Sequence, residues 1–155
     1  MDRVALTAAL HSDITVRPAE ASDATAIASL CAQLGYPSTS EDIERRLTTI
    51  AGEPDAILLV ADCRHDGVIG WVHVRAVHLI TRDACAEIGG LVVDTARRGG
   101  GIGTRLMAAS EEWARRRGLD TLRLRSNVIR EEAHAFYCGR GFTGSKTSLL
   151  FTKML

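Results

Sequence analysis

Charge of neither sign prevails in this sequence of 155 residues, where nineteen Lys and Arg offset nineteen Asp and Glu. The balance removes the long-range pull that nucleic acid or an anionic membrane surface exerts on a basic protein, so neither is expected as a partner. Long apolar runs are missing too, and nothing approaches the roughly 20 residues that cross a bilayer as a helix. Residues 1–11 include Asp2 and Arg3 and lack both the apolar stretch and the small-residue cleavage site of an export signal, so the expected location is the cytoplasm. The four cysteines, Cys31, Cys63, Cys85 and Cys138, form no C-x-x-C pair and have no histidine at ligand spacing. They are expected as small core residues in a reducing compartment, with no metal and no disulfide. Two nucleotide fingerprints also fail: G-x-x-x-x-G-K-[ST] needs glycine where Thr104 stands, and G-x-G-x-x-G needs it at Thr104 or Leu106.

What the sequence does contain is a strand, a glycine-dense loop and a helix between Leu91 and Trp113. Leu91-Val92-Val93 ends the strand, Arg97 to Gly101 form the loop, and Ile102, Leu106, Ala109 and Trp113 recur with helical period. Glu111 and Arg115, and Glu112 and Arg116, are spaced as favourable i,i+4 pairs, and Gly118 stands where a left-handed cap would end the helix. Gly99, Gly100, Gly101 and Gly103 offer little side-chain obstruction. Their backbone N–H groups, with the first turn of the following helix, form a site suited to phosphate.

The remaining elements follow from pattern. A 46% apolar, 25% charged chain of this length fits one domain over residues 1–155 with a single core, residues 1–12 preceding it as a flexible or accessory segment. Ile14 to Arg17 alternate as a first strand that Pro18 ends. Ser22-Asp23 offers an N-cap to a helix with Ile27, Leu30, Cys31 and Leu34 on its inner face, and Ser38-x-x-Glu41 a capping box to a second helix with Ile43, Leu47 and Ile50 inside. Ala56 to Ala61 is a continuous apolar strand and Asp66-Gly67 a hairpin signal. The strand Val68 to His78 sets Val72, Val74 and Ala76 against Trp71, His73, Arg75 and Val77; His73 and His78 are expected to be structural. Cys85 to Val93 is the next strand, and its Gly89-Gly90 pair marks a bulge or a close approach to backbone. Thr121 to Arg125 forms a further strand, Arg130 to Cys138 a helix, and Ser148 to Lys153 alternates as a closing strand.

Two motifs carry a resemblance. Arg98-x-x-Gly101-x-Gly103, after a valine-rich strand and before a helix, is similar to the pyrophosphate loop of the GNAT acetyltransferase superfamily. Asn127-x-x-x-x-x-Ala133-x-x-Phe136-Tyr137-x-x-x-Gly141-Phe142 resembles that superfamily's second signature. The resemblance spans nearly the whole chain and implies a splayed mixed α+β architecture, about seven strands flanked by about four helices. It also implies acetyl-CoA as cosubstrate. Arg98, Gly99, Gly100, Gly101, Ile102, Gly103 and Thr104 would take the pyrophosphate, the backbone of Leu91, Val92 and Val93 the pantetheine arm, Asn127 would lie near the cofactor, and Tyr137 would point at the thioester sulfur. Thr95 departs from the family pattern, where proline is common after the central strand, and this is expected to loosen the start of the loop slightly.

The implied reaction moves an acetyl group to the neutral amine of a small molecule by direct attack in a ternary complex. Tyr137 would protonate the leaving thiolate and Glu87, or a water relay, would accept the ammonium proton. A simple period of two puts Glu87 and Leu91 on one face, a register that a Gly89-Gly90 bulge would shift. Three alternatives remain at this level: a non-catalytic acyl-CoA-binding regulatory module, transfer of a longer acyl group such as succinyl with Arg123 and Arg125 meeting its carboxylate, and acetylation of a protein or aminoglycoside amine. The acceptor, the oligomeric state, with a homodimer left open, and the role of residues 1–12 are not legible.

Overall fold

A computed structural model describes residues 13–155; the N-terminal segment through residue 12 lies outside the described residues. The chain divides into two compact units, one ending at Leu124 and the other Arg125–Leu155. In the first unit the strands β1 (Ile14–Pro18), β2 (Ala56–Cys63), β3 (Gly67–Leu79), β4 (Arg82–Val93) and β5 (Leu122–Leu124) form one sheet in sequence order. Each neighbouring pair from β1 to β4 is antiparallel, and β5 joins β4 in parallel. The helices α1 (Ala24–Leu34) and α2 (Ser40–Ala51) precede β2, and α3 (Ile102–Arg116) makes the crossover that a parallel pair requires. In the second unit α4 spans Glu131–Cys138.

Local chemistry fixes the helix ends. α2 begins at Thr39, one residue after the expected cap: Thr39 Oγ1 accepts from the Asp42 N–H at 3.1 Å, and Asp42 Oδ2 accepts from the Thr39 N–H at 3.4 Å. Asp23 does not cap α1 as expected, because its carboxylate is taken by the Arg17 guanidinium at 2.8 and 2.9 Å and by the Glu20 N–H. Its bond to Arg17 holds this buried carboxyl below the usual aspartate range. Arg17 also reaches Asp62 at 2.9 Å, so one cation fastens β1 to β2 and to the start of α1. Past the end of α3, Gly118 (φ 68°) and Leu119 return N–H groups to the carbonyls of Arg115 and Ala114, a left-handed closure with Ala114 and Leu119 both buried.

Helices cover both faces of the sheet. Ile27, Leu30 and Leu47 from α1 and α2 pack with Leu58, Val60, Trp71 and Val92. On the opposite face α3 closes over Gly70, where an added Cβ would meet Leu106 Cδ1 at 3.3 Å. The stripe that α3 buries is Ile102, Leu106, Met107, Ser110 and Ala114, rotated from the expected one. Ser110 buries its hydroxyl by donating to the Leu106 carbonyl at 2.9 Å, whereas Trp113 stays half-exposed beneath Arg117. The pairs Arg115–Glu111 and Arg116–Glu112 form at 2.8 and 3.0 Å.

Among the described residues the sheet has five strands rather than about seven. Residues 148–153 pair with no strand among the described residues, and Leu149, Leu150 and Phe151 are exposed. Alternation alone does not make a strand, which exists only through a ladder to a neighbour. Cys31, Cys63 and Cys85 are buried as expected, but Cys138 is exposed, because the short helix α4 buries none of its residues.

β4 holds the decisive irregularity. His73 pairs with Gly90 and Val74 with Ile88, so Gly89 is an extra residue in the ladder. What comes close to these glycines is protein: a Cβ at Gly90 would lie 2.9 Å from the Trp71 ring, and one at Gly89 would lie 3.0 Å from His73 Nδ1. Gly90→Ala is therefore expected to cost about 1–3 kcal/mol by overpacking, read as a lowered urea midpoint, whereas Gly52→Ala, whose Cβ meets only carbonyl oxygens at ordinary distance, should leave the midpoint unchanged or raised.

Candidate active site

Gly89 reverses the facing of β4 across the bulge. Before it, Glu87 pairs with Arg75; after it, Leu91 pairs with Val72. Residues 72 and 75 of the regular β3 point to opposite faces, so Glu87 and Leu91 do as well, and the simple period of two fails here. Glu87 shares the face of Trp71 and His73, the one α1 and α2 cover, while Leu91 faces with Val72. Glu87 is buried, its Oε1 accepts from Arg75 Nη2 at 2.7 Å, and no other hydrogen bond ties this carboxylate among the described residues. Across the parallel pair Glu87 is in register with Arg123, whose Nη1 reaches Cys85 Sγ at 3.8 Å. The carboxylate thus sits in a row with an arginine on each neighbouring strand, a juxtaposition set by register that the linear sequence hides.

Two further polar groups mark this face. Trp71 Nε1 and His73 Nε2 are buried with no hydrogen-bond partner among the described residues. Burial pushes the His73 imidazole below its ordinary value, Arg75 adds to the shift and Glu53 opposes it, which favours the neutral ring.

The glycine loop lies where the sequence places it, between β4 and α3. Asp94 leaves the strand with its N–H donating to the Ile69 carbonyl at 2.8 Å, and its Oδ1 accepts from the Ala96 N–H, starting a 3-10 turn over Thr95–Arg97. Arg98 is extended and folds its Nε back onto the Val93 carbonyl at 3.3 Å. Gly99 (φ 80°) and Gly101 (φ 76°) then take left-handed backbone. No side chain caps α3 at Gly101, and a Cβ on Gly99 would meet nothing within 4 Å. An anion approaching there finds the first-turn N–H groups of Ile102 and Gly103 at the positive end of the helix dipole, with no side chain of the described residues in the way at Gly99.

Asn127 and Tyr137 belong to the second unit. Asn127 begins a turn, its Oδ1 accepting from the Ile129 N–H at 3.2 Å and its carbonyl from the Arg130 N–H at 3.0 Å. Tyr137 lies edge-on between Phe136 and Phe142, with ring centroids 5.4 and 5.8 Å away, and its carbonyl receives the N–H groups of Arg140 and Phe142. The hydroxyl makes no hydrogen bond among the described residues. Burial raises the phenol above its ordinary value, partly offset by Arg130.

The sequence matches the acetyltransferase (GNAT) family over residues 23–142. An aminoglycoside N(6')-acetyltransferase type 1 of Stenotrophomonas maltophilia is 30% identical over 143 residues, 88% of this chain and 91% of that one. The aminoalkylphosphonate N-acetyltransferase of Salmonella typhimurium is 36% identical over 93 residues, a match spanning 59% of either chain. Among solved structures, a GNAT family acetyltransferase of Staphylococcus aureus superposes with a TM-score of 0.74 at 26% identity, over 92% of this chain and 99% of that one.

The packing of Tyr137 predicts its titration. In an alkaline ultraviolet difference spectrum, the phenolate phase that disappears in Tyr137→Phe should lie above the ordinary tyrosine value of about 10, and a phase at or below that value would contradict the burial described.

Proposed function

The chain belongs to the GNAT acetyltransferase family, and from that membership we propose that it transfers an acetyl group from acetyl-CoA to the primary amine of a small molecule in a ternary complex. The observation that carries this reading is the loop that runs from Arg98 into the head of α3, with open space at Gly99 and no side-chain cap at Gly101 among the described residues, in the place where the family motif takes a diphosphate. Acetyl-CoA supplies the activated thioester; the chain's residues bind it and move protons. The N–H groups of the loop and the first turn of α3 hold the diphosphate, Arg98 adds charge, and the backbone of Leu91, Val92 and Val93 accompanies the pantetheine. Asn127, in the turn that precedes α4, serves as the second signature's cofactor-side amide.

Tyr137 acts as the general acid toward the departing thiolate. A phenol kept protonated by burial still holds its proton at neutral pH, and its hydroxyl is not committed to another protein group among the described residues. Glu87 is the proton acceptor on the amine side, directly or through water. Arg75 orients it through Oε1, leaving the second carboxylate oxygen for the ammonium. A small, weakly charged acceptor is the reading these elements favour, since Asp42 is bound to Arg45 and Glu87 to Arg75, which neutralises two of the carboxylates a polycation would use.

Two experiments test the reading. Gly103→Glu places a carboxylate against the diphosphate and is expected to weaken calorimetric acetyl-CoA affinity at least about tenfold with the thermal midpoint retained; unchanged affinity would remove the loop assignment. Free-thiol release across monoamines, amino acids, an aminoglycoside and a basic peptide should single out a small amine, and Tyr137→Phe should lower that turnover by about 10²-fold without loss of acetyl-CoA binding. Turnover that survives Tyr137→Phe, with chemistry rate-limiting, would return the tyrosine to packing, and a clear preference for either polycation would overturn the acceptor class alone.

A further inference from the structure

The approach to the glycine loop is fastened from two sides by residues in neither motif. From α1, Gln33 Oε1 accepts from both the N–H and the Oγ of Thr95, each at 2.9 Å. From the β2–β3 turn, Asp66 Oδ2 holds Arg97 Nη1 at 2.6 Å, while Arg97 Nη2 and Asp66 both contact the buried Cys63 sulfur at 3.5 Å. The two anchors therefore grip the first and last residues of one 3-10 turn. Beyond that turn the chain passes through Gly99, Gly100 and Gly101, which contribute no side chains to pack. Glycine backbone is the costliest to order, so the loop's shape is restrained chiefly at its ends, by α3 on one side and, on the other, by this turn and the Arg98 side chain on the Val93 carbonyl.

Thr95 is the informative residue. A proline at this position would fix the backbone torsion but could donate nothing; Thr95 supplies two donors, and the turn is tied down rather than loosened. We infer that Gln33 and Asp66 are positioning residues for the cosubstrate, clamping Thr95–Arg97 so that the glycine loop is held ready for the diphosphate. This rests on the loop assignment made under the proposed function. Its effect falls on binding, because a clamp that takes no part in proton transfer lowers only the ordering cost of the loop.

The variants Gln33→Ala, Asp66→Asn and Thr95→Pro test it. Asp94 has ψ 129°, outside the helical region that a following proline disfavours, and Thr95 is the first residue of the turn, so proline fits the backbone while deleting both donors. Each variant should weaken acetyl-CoA binding by about three- to tenfold, with turnover at saturation held within about twofold. In the ligand-free protein, Gln33→Ala should speed amide hydrogen exchange across residues 96–101 while the global melting curve stays in place. If Thr95→Pro binds acetyl-CoA as tightly as the parent or tighter, torsional stiffness and not the Gln33 link orders the loop, and the inference fails. Unchanged exchange in Gln33→Ala sinks it equally. Should the parent not bind acetyl-CoA, the functional reading falls, while exchange in the free protein still decides whether the clamp exists.

Discussion

One extra residue in β4 organises the first unit. Because Gly89 is inserted between the pairs His73–Gly90 and Val74–Ile88, side chains on either side of it address different faces of the sheet. A strand that alternated without interruption would put Glu87 with Leu91 and Val93. The bulge instead sets Glu87 beside Arg75 and in register with Arg123, and turns Leu91 with Val72 to the other face. Two glycines are required there because the space above them is already filled by the rings of Trp71 and His73.

A polar row of this kind could be costly inside a sheet, since a buried carboxylate without a partner loses its hydration uncompensated. Arg75 removes that penalty for Glu87, and Arg17 does the same for Asp23 at the other edge, where a single guanidinium serves two carboxylates. Both arginines are partly exposed, whereas Asp23 and Glu87 are buried and Asp62, the second carboxylate on Arg17, is half-buried. The arrangement keeps the cation's stem against apolar surface and its head near water.

The parts legible in the sequence were those with short-range causes. Glycine density placed the loop, helical period and the Glu–Arg spacings placed α3, and the Gly89-Gly90 pair announced the irregularity in β4. The misses share a different origin. Ser110 is a core residue only because its hydroxyl bonds within its own helix, and Trp113 is large and apolar yet sits under Arg117 at the surface, so composition misassigned the stripe. Thr39 and Ser38 are equally good caps on paper, and the carboxylate of Asp42, three residues after Thr39, decided between them. The alternation of Ser148 to Lys153 described a strand without saying what it would pair with. Likewise Gln33 and Asp66 lie 62 and 31 positions from their partners Thr95 and Arg97, and nothing in a linear pattern links residues so far apart.

The chain has two tryptophans, and their placements differ sharply. Trp71 lies in the sheet against Gly90, its indole nitrogen buried without a partner among the described residues, while Trp113 is half-exposed near the far end of α3 with a guanidinium 4.3 Å from its ring centre. The protein therefore carries an intrinsic optical probe at its own bulge. A movement of the backbone at residues 89–90 alters the packing around the Trp71 ring directly, whereas the Arg117 contact of Trp113 lies on another element.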